Sequence, residues 1–424
     1  LIGGLALAGA PASAQLLGGA RLPSLPALPL APVTQALPGL ERDLSPGALL
    51  DARLARLEAF RAAHRATVDR DERGEPVVRG EILALAPSPE SLAAAERAGF
   101  SVLRREPLDA LGLQVAALAT PRGLSAIAAL KRLRAVDPTG SYDYDHLYFG
   151  AGATKAPTGV RGEPASPAPS RARVGVIDTG AETRNPAFAG ARVEQRGFAA
   201  GGAVPRPHGT ATASLIAADQ PEFRGGAPDA ALWLADVYGT GADGGSALDI
   251  ARALAWMGEV KAPVVSVSLV GPANRLLEAS ITALASRGVL VVAAVGDDGP
   301  AAPPMYPASY PQVVAVAAVD GRGRPLLENG RASHVDFCAP GADMAAAVGV
   351  SGYAVVRGSS FAAPLVAALL AARLETPEPR LAQAAVRRLA AQAVAHGAAC
   401  GRGLVAADLR AAPARLHARP WPED

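Results

Sequence analysis

The chain has 424 residues, enough for two or three domains and at least one large core. Its 41 Lys and Arg stand against 39 Asp and Glu, a formal charge of +2 that leaves no footprint for a nucleic-acid or polyanion partner. Half of the residues are hydrophobic but only 4% aromatic, so alanine and leucine must fill most of the core, and no apolar run has the length of a membrane span.

Leu1 to Ala14 is small and apolar and ends Ala12-Ser13-Ala14 before Gln15, the pattern of a hydrophobic export segment with its cleavage site. Residues 1–14 are therefore expected to be the remnant of a signal peptide on an exported protein, periplasmic or secreted. Residues 15–76 read as a linker and an amphipathic helix. The linker is rich in Pro, Leu and Ala without period, and Leu49, Leu50, Leu54, Leu57 and Phe60 then recur at near-helical spacing.

Residues 77–148 predict a small α+β domain. Strands are expected at 81–85, 101–103, 113–118 and 134–137, with helices opened by Ser88 and Ser125. The order β-α-β-β-α-β is ferredoxin-like, and by itself names no function. Residues 149–170 form a Pro-rich linker, the best domain boundary in the chain and a plausible processing site.

Residues 171–412 change pattern. Apolar strands at 174–177, 231–235, 264–269, 289–294 and 313–316 alternate with helices at 210–218, 247–257, 276–286 and 365–374. This predicts an α/β fold, a mainly parallel sheet with helices on both faces, and a site beyond the carboxyl ends of its strands. Residues 413–424 read as a frayed tail.

Three groups carry the chemistry. Asp178 ends the first of these strands in Ile177-Asp178-Thr179-Gly180. Alone it is a turn residue, or half of an aspartic-protease pair for which the chain has no second triplet. His208 opens a small-residue helix, Gly209-Thr210-Ala211-Thr212-Ala213-Ser214. Ser360, in Gly358-Ser359-Ser360-Phe361-Ala362-Ala363-Pro364, opens another, with Pro364 expected in its first turn. A serine there is often only a helix cap. A serine nucleophile, however, needs an imidazole to take its proton and a carboxylate to orient that imidazole, and Asp, His, Ser is one known chain order for the device.

These three motifs, in this order and spacing, resemble the subtilisin-like serine peptidases (subtilases). The resemblance covers about residues 171–412 and implies Ser360 as nucleophile, His208 as general base and acid, and Asp178 as the group that orients His208. It implies that Gly241, Gly245, Ser268, Leu269 and Val270 flank a bound peptide, whose backbone pairs with theirs as an added strand. The α+β domain is similar in position and pattern to the propeptide that precedes many subtilases, so the expected partners are polypeptide substrates and the chain's own propeptide, in a monomer. The resemblance implies an endopeptidase made as a self-processed precursor.

Two positions depart from the family pattern. Asp297 stands where the family has an Asn that joins the Ser360 N–H in the oxyanion hole. An ionised carboxylate repels an oxyanion, whereas a protonated one donates to it, so slow or acid-dependent activity is expected. A catalytically impaired scaffold with a binding or chaperone-like role is the alternative. Val270 stands where a glycine is common and should narrow the cleft toward small side chains. No metal is expected from any cluster. Structural calcium stays open, with Asp243 and Asp249 isolated. Cys338 and Cys400 either pair, closing a loop worth roughly 4 kcal/mol, or remain buried thiols.

Overall fold

A computed structural model describes residues 45–151, 171–241 and 244–422. The expected signal remnant 1–14, the linker that follows it, the Pro-rich stretch 157–170 and Asp243 lie outside the described residues.

The chain first forms α1 (Pro46–Ala63), capped by the Ser45 side chain on the Ala48 N–H. Then come β1 (Val68–Arg70), β2 (Pro76–Leu85), α2 (Pro89–Arg97), β3 (Ser101–Leu108), β4 (Leu113–Ala119), α3 (Ala126–Val136) and β5 (Ser141–Gly150). Ser88 and Ser125 cap α2 and α3 through their hydroxyls. The four longer strands pair antiparallel in the order β5-β2-β4-β3, with β1 alongside β2. Side chains alternate across this sheet. Ile82, Ala84, Ala116 and Leu118 meet Leu92, Leu130 and Leu133 of the two helices, each buried leucine worth about 2 kcal/mol. Leu83, Val115 and Ala117 face the opposite way, into a core shared with the larger domain.

The larger domain runs through β6 (Arg173–Asp178), β7 (Arg192–Gly197), α4 (Pro207–Ala217), β8 (Ala231–Asp236), β9 (Gly245–Ser246), α5 (Ala247–Glu259), β10 (Val264–Val267), β11 (Leu269–Val270), α6 (Arg275–Ser286), β12 (Leu290–Ala294), β13 (Val314–Val319), β14 (Phe337–Pro340), β15 (Met344–Ala347), β16 (Tyr353–Val356), α7 (Ser359–Ala371) and α8 (Pro379–Ala390). Seven strands make a parallel sheet in the order β14-β13-β12-β10-β6-β8-β7. Both faces are covered, so its strands are apolar throughout. In β13, Val314, Val316 and Ala318 enter one core with residues of α4 and α7, while Ala315, Ala317 and Val319 enter the other with residues of α5 and α6.

The two domains dock through helix ends. Asp143 and Asp145 of β5 accept the N–H groups of Arg275 at 2.7 Å and Leu248 at 2.9 Å. Those donors belong to the first turns of α6 and α5, where a carboxylate is favoured by the helix dipole.

Three expectations change. Residues 134–136 end α3, because Leu130 and Leu133 carry the helical stripe on, and the last strand of the small domain starts only at Ser141 and runs to Gly150. The segment after Ala412 is packed: Leu416 is buried, Arg419 hydrogen-bonds through its backbone to Tyr353 and Val355, and Trp421 meets Phe361 edge to face with ring centroids 5.5 Å apart. Pro364 lies beyond the first turn of α7, where its missing N–H orphans the Ser360 carbonyl, and the Ser268 hydroxyl donates there instead at 2.9 Å. Cys338 and Cys400 are joined as a disulfide with Cα atoms 4.9 Å apart.

Candidate active site

Asp178 closes β6 at the carboxyl edge of the parallel sheet and is 1% exposed. Its carboxylate is held by the Thr179 N–H at 2.7 Å and the Thr212 hydroxyl at 3.0 Å, and it meets His208 Nδ1 at 2.7 Å. With Nδ1–H given to a carboxylate, Nε2 is the nitrogen left to accept a proton. The approach is tight. A Cβ on Gly209 would stand 2.2 Å from the Thr179 carbonyl oxygen, so only glycine lets α4 come this near to the end of β6.

Ser360 is the second residue of α7, after Gly358 as the cap. It is no cap itself. Its hydroxyl donates to the Ser268 carbonyl at 3.0 Å, and the Phe361 ring beside it lies 5.6 Å from the His208 ring. Its N–H, at the positive end of the helix, donates to the carbonyl oxygen of Ala151 at 2.8 Å.

Ala151 is where the small domain enters the site. The end of β5 lies between two strands of the larger domain as an added antiparallel strand. Leu147 and Tyr148 pair with Ser246 and Gly245, and Phe149 and Gly150 pair with Val270 and Leu269. The Ala151 N–H donates to the Ser268 carbonyl at 3.1 Å. Gly245, Ser268, Leu269 and Val270 thus line this strand. Gly241 gives its carbonyl to Arg206 at 2.9 Å. A Cβ on Gly150 would stand 3.3 Å from His208 Nε2, so imidazole and serine flank the same dipeptide. The placement of residues 147–151 was not read from the sequence, although an aromatic pair followed by Gly150-Ala151 before a Pro-rich stretch is its trace.

The Asp297 carboxylate receives the Ser359 N–H at 2.9 and 3.2 Å. Although the residue is half-buried as a whole, loss of water around the carboxyl is the largest effect and pushes its pKa well above the usual carboxylate range. The Ser359 N–H opposes this, while the charges of Glu328 and Asp298 add to it. Each of these neighbours has its own cation. Arg357 pairs with Glu328, and Arg53 and Arg56 of α1 pair with Asp298. Asp249 lies in the first turn of α5 against the Ser246 cap, and no cluster able to hold a metal occurs among the described residues.

The subtilase family profile matches residues 170–403. An M-protease of Shouchella clausii strain KSM-K16 is 33% identical over 253 residues, 56% of this chain and 64% of that relative. A thermitase of Thermoactinomyces vulgaris is 31% identical over 205 residues, 47% of this chain and 73% of the relative. The chain therefore spans just under two thirds of the M-protease and somewhat more of the thermitase. Among solved structures, fervidolysin from Fervidobacterium pennivorans, a keratinolytic enzyme related to subtilisin, matches with a TM-score of 0.66 over 84% of this chain and 65% of its own. At 19% identity that likeness concerns the fold alone.

Proposed function

The chain belongs to the subtilase family, and from that premise we propose that it is a serine endopeptidase made as a precursor that cuts itself between Ala151 and Gly152. The observation that carries this reading is the 2.8 Å hydrogen bond from the Ser360 N–H to the Ala151 carbonyl, with the preceding residues lying as a substrate strand.

In this reading the Ser360 hydroxyl turns from the Ser268 carbonyl toward His208 Nε2, which takes its proton as Oγ attacks the Ala151 carbonyl carbon. The Ser360 N–H receives the oxyanion, and Asp178 stabilises the imidazolium. His208 then gives the proton to the amine of Gly152, which leaves, and water releases the acyl group by the same steps reversed. The small domain, still paired with β9 and β11, acts as propeptide and blocks the cleft until it departs. The Ala12-Ser13-Ala14 signature supports export of the precursor. Among the described residues no helix is long and apolar enough to cross a membrane.

Asp297 favours a second reading, an impaired scaffold, if its carboxyl stays ionised beside the oxyanion. Intact mass decides between them. Purified protein is incubated at pH 5 and pH 7.5 beside Ser360→Ala. The peptidase reading expects a fragment beginning at Gly152 from wild type alone. A full-length wild type at both pH values, unlabelled by a serine-directed phosphonate, sinks it.

A further inference from the structure

The segment after Ala412 returns to the active site. We propose that Trp421 is a positioning residue: through the Phe361 ring it holds the His208 imidazole at the angle from which Nε2 reaches Ser360. This rests on the peptidase reading above.

The 2.7 Å contact with Asp178 fixes the Nδ1 end of the imidazole. The outer torsion of a histidine side chain is broad, so a contact at one nitrogen lets the ring rock and carries Nε2 with it. Proton transfer from a serine tolerates little of this, since a displacement of about 1 Å can cost about 100-fold in rate. The ring therefore gains from a brace on its body. Phe361 supplies one, with its centroid 5.6 Å from that of His208 and the planes inclined at 50°. It follows the nucleophile directly in α7, so its ring ties the base to the turn that carries Ser360.

Phe361 has a backing of its own. It is 2% exposed, and Trp421 meets it edge to face at 61°, an arrangement that the ring quadrupoles favour. Imidazole, phenyl and indole thus stand in contact one after another. Backbone pairing sets where the indole falls. The Arg419 N–H donates to the Tyr353 carbonyl and the Arg419 carbonyl accepts the Val355 N–H, both at 2.9 Å. The pairing is parallel, with Ala354 opposite Arg419. From there β16 leads on to Gly358 and α7, and the paired segment runs the same way to Trp421. Tyr353 is anchored in turn by an edge-to-face contact with Phe223 at 5.3 Å. A slip of this segment along β16 would carry the indole off Phe361. Trp421 lies at the margin of the core and is half-buried. Any apolar side chain would cover that margin, but the contact with Phe361 needs a ring.

The test compares Trp421→Ala and Trp421→Phe in the full chain. Self-cleavage is intramolecular, so its first-order rate reports the placement of the reacting groups without a substrate-binding step. We expect Trp421→Ala to slow it about tenfold, the effect of one aromatic pair. Trp421→Phe, which keeps a ring for Phe361, should stay close to wild type. A second measurement needs no cleavage. In the Ser360→Ala background, the low-field proton resonance of the His208 Nδ1–H held by Asp178 should broaden with Trp421→Ala and stay sharp with Trp421→Phe, because a rocking ring exchanges that proton with water. A lower melting temperature with rate and resonance unchanged would make Trp421 mere packing and overturn the proposal. So would a phenylalanine variant as slow as the alanine one. If Trp421→Ala does not fold, Trp421→Leu keeps the apolar cover without the ring, and a wild-type rate for it overturns the proposal. If wild type itself does not cleave, the peptidase reading falls, and the resonance still decides whether Trp421 braces His208.

Discussion

The Asp297 carboxylate accepts the N–H of Ser359 at 2.9 Å, one residue before the N–H that holds the Ala151 carbonyl. Two adjacent donors of one helix end thus serve a carboxylate and the carbonyl proposed to be scissile. Because burial raises the Asp297 pKa, the carboxyl keeps its proton to higher pH than an ordinary aspartate. In the proposed reaction, raising the pH through that value puts a negative charge one backbone N–H away from the donor that would hold the oxyanion. The advantage of Asp297→Asn over wild type in self-cleavage should therefore be larger at pH 7.5 than at pH 5. Asp297→Asn, which donates at either pH, should raise the pH 7.5 rate by about 100-fold. Equal rates at both pH values for wild type and variant contradict this role.

In the proposed mechanism Asp178 acts through His208 alone. Asp178→Asn keeps the shape but presents an amide to Nδ1 and favours the wrong tautomer. By the behaviour of serine triads, self-cleavage should slow on the order of 10⁴-fold. Circular dichroism should be unchanged. A loss below tenfold would mean that the 2.7 Å contact does not orient the base.

Arg53 of α1 is 4% exposed and holds two carboxylates, Glu75 at 2.7 Å and Asp298 at 3.1 Å. Leu49 of the same helix covers Gly299, and Phe60 packs with Leu147. The helix thus clamps both the strand in the cleft and the loop that carries Asp297. Arg53→Ala strands the buried Glu75 carboxylate, while Asp298 keeps Arg56, a loss of about 3–5 kcal/mol. Limited proteolysis of the Ser360→Ala background should then cut within 46–63, where the parent resists. Unchanged resistance and an unchanged melting temperature would show that the clamp is energetically idle.

The disulfide ties β14 to the segment that returns beside it at Leu404. It closes a separation of 62 residues, which chain entropy values at roughly 4 kcal/mol. A Cys338→Ala/Cys400→Ala variant should melt about 10 °C lower than wild type. The same drop should follow reductant with wild type and not with the variant. A melting curve indifferent to both changes refutes the contribution.

Much of this was legible in the chain alone. Strands such as Val264–Val267 and Leu290–Ala294 announce a doubly covered sheet, because burial on both faces leaves no polar alternation. Ser88 and Ser125 announce their helices by local capping chemistry. Asp178, His208 and Ser360 stand out because each sits at a strand end or helix start beside small residues that permit close approach. The β5 strand was misplaced because Arg134 to Val136 looks equally apolar as strand or helix end, and only packing of Leu133 decides. The packed C-terminal segment was missed for a similar reason: Leu416 and Trp421 gain their burial from partners far away in the chain.

The sequence by itself determined the family and the parallel architecture and marked Asp178, His208 and Ser360 as the candidate reacting groups, since these follow from periodicity and from motifs a few residues long. Tertiary structure alone decided that Ala151 lies on the Ser360 N–H, that Asp297 turns to Ser359, and that Tyr148 is sealed against Pro272. Each of these joins residues 60 to more than 200 positions apart. Local propensity carries no information about such pairs, because their contact depends on how distant elements come together, within the larger domain for Asp297 and Ser359 and between the two domains for the others.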